Sequence, residues 1–211
     1  MGALLDILNV LSRHDIRGQV SKELTQRRSA LANLEGDESI DHEALERVLS
    51  QIDGISHDLA HIPPQFASYQ LRDNALLNSL DSRHAIPGSS CSFDLPGYHH
   101  WLSQPDERID ADLNQWMRRV LPIENGIRLL LRLLRDSTTA TEVLAQNGVL
   151  VHNTETGTQM IRAMLDDASL FPEISGNRHR ATIRFMQYQD SQLHVRQTEN
   201  NVTFRMACCR Y

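Results

Sequence analysis

Through the first two-thirds of the chain, apolar residues recur every three to four positions, which is the pattern of amphipathic helices. Turn-forming pairs at Gly36-Asp37 and Pro63-Pro64 interrupt this pattern, and Asp41 stands where a helix N-cap is expected. Long helices joined by short turns predict an antiparallel bundle. The first four apolar stripes run from Leu4 to Leu11, from Val20 to Leu34, from Leu45 to Leu59 and from Phe66 to Leu80.

Proline positions divide the segment that follows. Ile86–Ser90 has the composition of a turn, after which Cys91–Asp94 is a candidate short strand. Pro96 can open a short helix, and Pro105 fits the first position of the next one. Pro122 must kink or divide that helix, because proline has no backbone N–H to donate.

From about Ser137 the pattern changes to a strict alternation of apolar and polar residues, as in half-buried strands. No helix-length segment separates these runs, so they predict a mainly antiparallel meander. The fold class is therefore α+β, with a helical domain at residues 1–136 and a β domain at residues 137–211. Residues 89–95 are a candidate for pairing with the sheet. The alternating runs are Val149–His152, Met160–Leu165, Arg180–Met186 and Val202–Ala207.

The composition is that of an ordinary globular protein. Of the 211 residues, 40% are hydrophobic and 23% are charged, and the mean hydropathy is −0.40. These values exclude a disordered chain, a collagen-like repeat and a disulfide scaffold. No apolar run has the length of a membrane span and the first residues do not resemble a signal peptide, so we expect a cytoplasmic protein without a membrane partner.

Charge and cysteine content narrow the functional classes further. The formal net charge of −6 does not suit generic nucleic-acid binding. The cysteines are Cys91 and the adjacent pair Cys208-Cys209, and without a Cys-x-x-Cys spacing they fit small buried apolar residues better than a zinc site. We therefore predict no cofactor and no metal site.

A cationic segment stands out against this acidic background. Residues 174–189 contain Arg178, Arg180 and Arg184 and no acidic residue. On a strand, Arg180 and Arg184 share a face about 13 Å apart, with Thr182 and Met186 on the same face. Such a face suits a short peptide that carries both carboxylates and apolar side chains. A merely solvated outer face of a half-buried sheet explains the pattern equally well.

The alternative class is a small cytosolic enzyme. Cys91, Asp94, His99 and His100 lie within ten residues and include a thiol, a carboxyl and imidazoles, the components of a nucleophilic triad. Groups of that kind usually meet from distant positions, and no established catalytic motif accompanies them. The simpler interpretation packs one histidine near Trp101 and leaves the other in solvent.

Three ordered stretches resemble a known family. They are Ile86–Leu102 (IPGSSCSFDLPGYHHWL), Phe171–Met186 (FPEISGNRHRATIRFM) and Phe204–Cys209 (FRMACC). Together they resemble ZapD, a family of Z-ring-associated bacterial cell-division proteins. The resemblance continues more loosely through the helical region, including Val10–Arg17 and Lys22–Leu24.

The resemblance implies a non-enzymatic function. ZapD-like proteins are cytoplasmic homodimers of the mid-cell division ring, with a helical domain and a β domain. They bind the C-terminal tail of FtsZ, the tubulin-like division protein, and bundle its filaments. That tail mixes acidic and apolar residues and is received by basic residues. Members usually begin with about forty further residues, including a first long helix, and we expect this chain to lack them.

The family's basic positions can be carried over only where the motifs match. The matching positions are Arg180, Arg184, His99 and Arg13. Weaker candidates, supported by position and charge alone, are Arg17, Arg72 and Arg178. Several apolar helix stripes also favour a homodimer held through the helical domain.

Overall fold

A computed structural model describes residues 1–34, 36, 40–84, 86, 91–189 and 194–211. The chain divides into two compact units, Met1–Leu130 and Leu131–Tyr211. Helices make up the first unit and strands dominate the second, which confirms the predicted α+β class. The helices are α1 (Gly2–Arg13), α2 (Ile16–Ala32), α3 (His42–Ala60), α4 (Phe66–Asp73), α5 (Ala75–His84), α6 (Pro96–Leu102), α7 (Asp106–Met117) and α8 (Leu121–Asp136).

Side-chain caps and buried apolar stripes explain the helical unit. The Asp15 carboxylate accepts a hydrogen bond from the Gly18 amide at the start of α2, and Asp41 caps α3 through the Ala44 amide at 2.9 Å. Arg28 joins α2 to α3 through two hydrogen bonds to the carboxylate of Asp53. The most deeply buried side chains of this unit are Leu5, Leu8, Leu24, Ile52, Leu59, Leu77 and Ile123.

Two local expectations for this unit are wrong. The single helix expected up to Leu80 is divided at Asn74, whose backbone is extended and whose side chain accepts a hydrogen bond from the Leu77 amide. Asn74 therefore acts as the N-cap of α5. Residues 91–94 form a bend and a turn instead of a strand, because the amides of Asp94 and Leu95 both donate to the carbonyl of Cys91. Residues 89 and 90 lie outside the described residues.

The described residues of the second unit form seven strands in two antiparallel sheets. Sheet A has the order β1-β7-β3; in sheet B, β5 lies between β4 on one side and β2 and β6 on the other. The strands are β1 (Thr141–Ala145), β2 (Val149–Asn153), β3 (Met160–Met164), β4 (Leu170–Gly176), β5 (Arg180–Tyr188), β6 (Val195–Gln197) and β7 (Val202–Cys209).

The strands pair antiparallel as predicted, but their order is not that of the predicted meander. Both β1 and β3 pair with β7, and β2 pairs with β5. Side chains of the two sheets share one apolar cluster, in which the rings of Phe185 and Phe204 lie 4.8 Å apart. The alternation of apolar and polar residues gives each strand one apolar face but does not determine which strand it pairs with. Two sheets that bury their apolar faces against each other form a sandwich.

Strand β5 has the predicted inner and outer faces. Ala181, Ile183 and Phe185 are buried in the sandwich, while Arg180 and Arg184 are exposed. This alternation fixes where the charged side chains of the candidate site stand.

Candidate functional site

A tight hairpin between β4 and β5 positions the cationic residues. Gly176 pairs with Ala181, and the Asn177 side chain accepts hydrogen bonds from the amides of His179 (2.8 Å) and Arg180 (3.1 Å). A Cβ atom at position 176 would lie 2.6 Å from the carbonyl oxygen of Arg180, so the close approach of the two strands requires glycine there.

The outer face of β5 presents two arginines that have no partner among the described residues. Arg180 and Arg184 share this face with Thr182 and Met186, as the alternation requires. Neither guanidinium makes an ion pair or a hydrogen bond with the part of the chain that the structure describes. Both are free to form charge-assisted, bidentate hydrogen bonds with carboxylates.

One acidic residue also lies on this face. Glu173 of β4 stands directly opposite Arg184 in the antiparallel register. Directly opposite residues have Cβ atoms about 5 Å apart, so this carboxylate lowers the positive potential around Arg184. Sequence reasoning missed Glu173 because it lies one residue before the acid-free segment; only the register of β4 on β5 could have found it.

Arg178 lies in the hairpin turn at one end of the same face. Its Nε–H donates to Nε2 of His179 at 3.0 Å, and its carbonyl accepts a hydrogen bond from the Thr154 hydroxyl at 2.9 Å. The hairpin therefore brings together three of the sequence-predicted residues, Arg178, Arg180 and Arg184.

A second pair of predicted residues meets in the helical unit. Arg13 at the end of α1 and Arg17 in the first turn of α2 both line a pocket of about 300 Å³, together with Pro63, Pro64 and Phe66. Arg17 donates to the carbonyl of Ile62 through Nη1, while its buried Nε has no hydrogen-bond partner among the described residues. The pocket thus combines two arginines and apolar walls with the carboxylate of Asp15.

Arg72 and His99 do not line that pocket. The Nε of Arg72 lies 3.1 Å from the carboxylate of Asp73, and its guanidinium stands over the Tyr69 ring at 5.0 Å. His99 lies on α6, half-buried, with its ring 6.0 Å from that of Tyr98. The local partners of Arg72 already satisfy part of its charge.

The thiol of the candidate catalytic cluster is held protonated. Cys91 donates from Sγ to the Asp94 carboxylate at 3.0 Å, and Asp94 also pairs with Arg83. This hydrogen bond, followed by burial, raises the pKa of Cys91 above its ordinary value. A nucleophilic cysteine needs the opposite shift, because the thiolate is the reactive form.

Metal and membrane features are also missing from the described part of the chain. Among those residues, no group of three or more His, Cys, Asp or Glu side chains could hold a metal ion. None of the helices described is long and apolar enough to cross a membrane.

The exposed arginine face and the arginine-lined pocket are the candidate binding surfaces of the chain. A family model described as "ZapD: Cell division protein" matches residues 1–184. The chain belongs to the ZapD family of cell division proteins.

Relatives support this assignment over nearly the whole chain. The chain is 35% identical to the cell division protein ZapD of Methylococcus capsulatus, over 99% of the chain and 82% of that relative. Its identity to ZapD of Cupriavidus necator is 35%, over 99% of the chain and 83% of the relative. ZapD of Ralstonia nicotianae is 33% identical over the same shares. The resemblance carried by the sequence motifs is thereby confirmed.

Proposed function

We propose that this chain binds the C-terminal tail of FtsZ and cross-links FtsZ filaments, promoting assembly of the Z ring at mid-cell in the cytoplasm. The observation that carries the proposal is the outer face of β5. Arg180 and Arg184 are exposed there, with no partner in the described part of the chain, over a buried row of Ala181, Ile183 and Phe185. The strand fixes the backbone spacing of the two arginines, so both guanidinium groups can reach the carboxylates of one extended acidic peptide.

The other basic residues support this site to different degrees. Arg178 extends the cationic face into the hairpin turn, and Arg13 with Arg17 offers a second, partly apolar cationic pocket. His99, which the family motifs suggest, and Arg72, which only its position and charge suggest, complete the set of predicted residues. Because Asp73 already neutralises part of its charge, we expect Arg72 to contribute least.

Cross-linking requires two tail sites in one particle, so we propose that the chain acts as a homodimer. Ile7 and Val10, one helical turn apart on α1, are 39% and 50% exposed. A two-fold contact is the commonest way to bury such a surface. Two sites per dimer then give a bivalent link, and many tails along a filament compensate for weak single contacts.

Sedimentation tests the dimer. We expect a particle of twice the 24.0 kDa chain mass, and we expect Val10→Asp to lower it towards the single-chain mass. That variant should bind a tail peptide but no longer bundle filaments. A 24.0 kDa species at micromolar concentration that still bundles FtsZ would contradict the proposal.

Charge reversal tests the tail site. Arg180→Glu and Arg184→Glu should each abolish bundling while circular dichroism and sedimentation stay those of the unchanged protein. Like charges placed against the acidic tail cost several kcal/mol at an interface, whereas exposed substitutions change stability by about 0.5 kcal/mol or less. By contrast, Ile183→Asp puts a charge into the sandwich core and should lose function by unfolding the β unit.

The chain offers a matched control in Arg205. This exposed arginine lies in sheet A, on β7, and also stands opposite a glutamate, Glu142. Arg205→Glu should leave peptide binding and filament pelleting unchanged. If Arg180→Glu and Arg184→Glu fold, dimerise and bundle as well as Arg205→Glu does, this face is not the tail site.

A further inference from the structure

The outer face of sheet B also carries an apolar cluster that the tail-binding arginines do not use. Phe171 of β4 pairs with Met186 of β5, and Tyr188 of β5 pairs with Val195 of β6. The rings of Phe171 and Tyr188 lie 5.3 Å apart, in a diagonal cross-strand contact. We call these four residues the Tyr188 cluster.

The Tyr188 cluster stands apart from the sandwich core. Tyr188 is 56% exposed and Val195 is 45% exposed, while Phe171 and Met186 are half-buried. Leu170 directly precedes Phe171 in the chain, and Phe185 directly precedes Met186. Both Leu170 and Phe185 point to the other face of the sheet and pack in the core. Tyr188 and Val195 therefore leave an aromatic and apolar surface open to a ligand.

Strand β5 places this cluster in line with the arginines. Arg184 lies on the same face two residues before Met186 and four residues before Tyr188. These separations correspond to about 7 Å and 13 Å along the strand. The face is cationic at its Arg180 end and apolar at its Tyr188 end, so an extended peptide lying along it meets both chemistries in a fixed order.

We propose that the Tyr188 cluster is the apolar half of the tail site and sets its specificity. It receives a large apolar side chain of an extended acidic peptide whose carboxylate, about four residues away, is bound by Arg184. This inference rests on the proposed function, because the occupant is the same FtsZ tail. Charge complementarity to Arg180 and Arg184 selects that acidic occupant over a second apolar surface.

The experiment compares Tyr188→Ser with Tyr211→Ser, a matched loss of another exposed tyrosine in the same unit. Titration with a fluorescent peptide copying the FtsZ tail should show about tenfold weaker binding for Tyr188→Ser and no change for Tyr211→Ser. Repeating the titration at several salt concentrations separates the two halves of the site. Tyr188→Ser should lower affinity equally at every concentration, whereas Arg184→Gln should flatten the salt dependence.

A second measurement leaves the protein unaltered. A tail peptide with its large apolar residues replaced by serine should bind the unchanged protein at least as weakly as the original peptide binds Tyr188→Ser, because it loses its contacts with the whole Tyr188 cluster. The two losses should not add when they are combined, because both remove the same contact.

The outcomes separate this inference from the proposed function. If the unchanged protein does not bind the tail peptide, the proposed function fails and the inference fails with it. If the unchanged protein binds and Tyr188→Ser binds equally well, or if the serine-substituted peptide keeps full affinity, the proposed function stands and the apolar half is wrong.

Discussion

Glu173 on β4 lies directly opposite Arg184 on β5, so the cationic face carries a carboxylate beside one of its two central guanidinium groups. An acidic ligand that binds Arg184 must compete with this neighbour and is repelled by it. The Glu173 carboxylate should therefore weaken the proposed binding of the acidic tail.

Removal of that carboxylate should strengthen tail binding. We expect Glu173→Gln to raise the affinity for the tail peptide several-fold in a titration. The exposed side chain loses its charge, and the pairing of the two strands is not disturbed. Glu142→Gln is the matched control, because Glu142 stands in the same register relation to Arg205 on sheet A. Weaker binding by Glu173→Gln would mean that Glu173 itself contacts the ligand.

Tail binding should weaken as salt rises. Exposed arginine–carboxylate attractions are screened over about 8 Å at physiological ionic strength and over about 3 Å near 1 M salt. Filament pelleting and peptide titration across this range should therefore show a steady loss of bundling and affinity. Bundling that is unchanged over the range would show that apolar contacts dominate, and the argument from the cationic face would fail.

The hairpin glycine should be required for both stability and binding. Gly176→Ala places a methyl group against the Arg180 carbonyl and the Ala181 backbone, and neither can move aside as a side chain could. We expect a loss of about 1–3 kcal/mol in the free energy of unfolding and weaker tail binding, because the turn that positions Arg180 is displaced.

Gly54→Ala serves as the control for this substitution. Gly54 lies inside α3, and apart from its own chain neighbours and the nearby helix backbone no heavy atom lies within 4 Å of the site of the new Cβ atom. Alanine is the better helix former, so this variant should gain up to about 1 kcal/mol in thermal or denaturant unfolding. Equal stability of Gly176→Ala and the unchanged protein would disprove the steric argument for the hairpin.

The pattern of apolar and polar residues within one helix or strand predicted those features of the fold that depend on that element alone. The alternation in β5 was enough to assign Ile183 to the core and Arg184 to the surface. Partner strands depend on contacts distant in the chain, so the pairing of Glu173 with Arg184 and the two-sheet arrangement were not predictable from period alone. Strand β4 was missed because Pro172 and Gly176 interrupt its β-strand signal.

Prediction of the candidate site from the sequence was limited in the same way. Arg178, Arg180 and Arg184 are close in the chain and meet in one hairpin, so their grouping followed from sequence. The apolar residues on the same face could not be grouped from the sequence. Phe171 and Val195 belong to other strands, and only the pairing register places them beside Tyr188. The helix break at Asn74 was missed for a similar reason, because the side-chain cap that produces it leaves no mark in the spacing of the apolar residues.

The protonation state of the Cys91 thiol tests the enzyme alternative. Its hydrogen bond to the Asp94 carboxylate stabilises the protonated form and raises its pKa. Asp94→Asn removes the charge, so the pKa of Cys91 should fall and the thiolate fraction at pH 8 should rise. Alkylation of Cys91 by iodoacetamide, followed by peptide mass spectrometry, should then be faster than in the unchanged protein, with Cys208 as the internal reference.

Cys91→Ala completes this test on function. A thiol held protonated takes no part in the proposed tail interaction, so the variant should bundle FtsZ filaments as the unchanged protein does. Rapid alkylation of Cys91 in the unchanged protein at neutral pH, together with loss of bundling in Cys91→Ala, would restore the enzyme alternative. Slow alkylation and full bundling would leave the arginine face of β5 as the functional surface to be mapped.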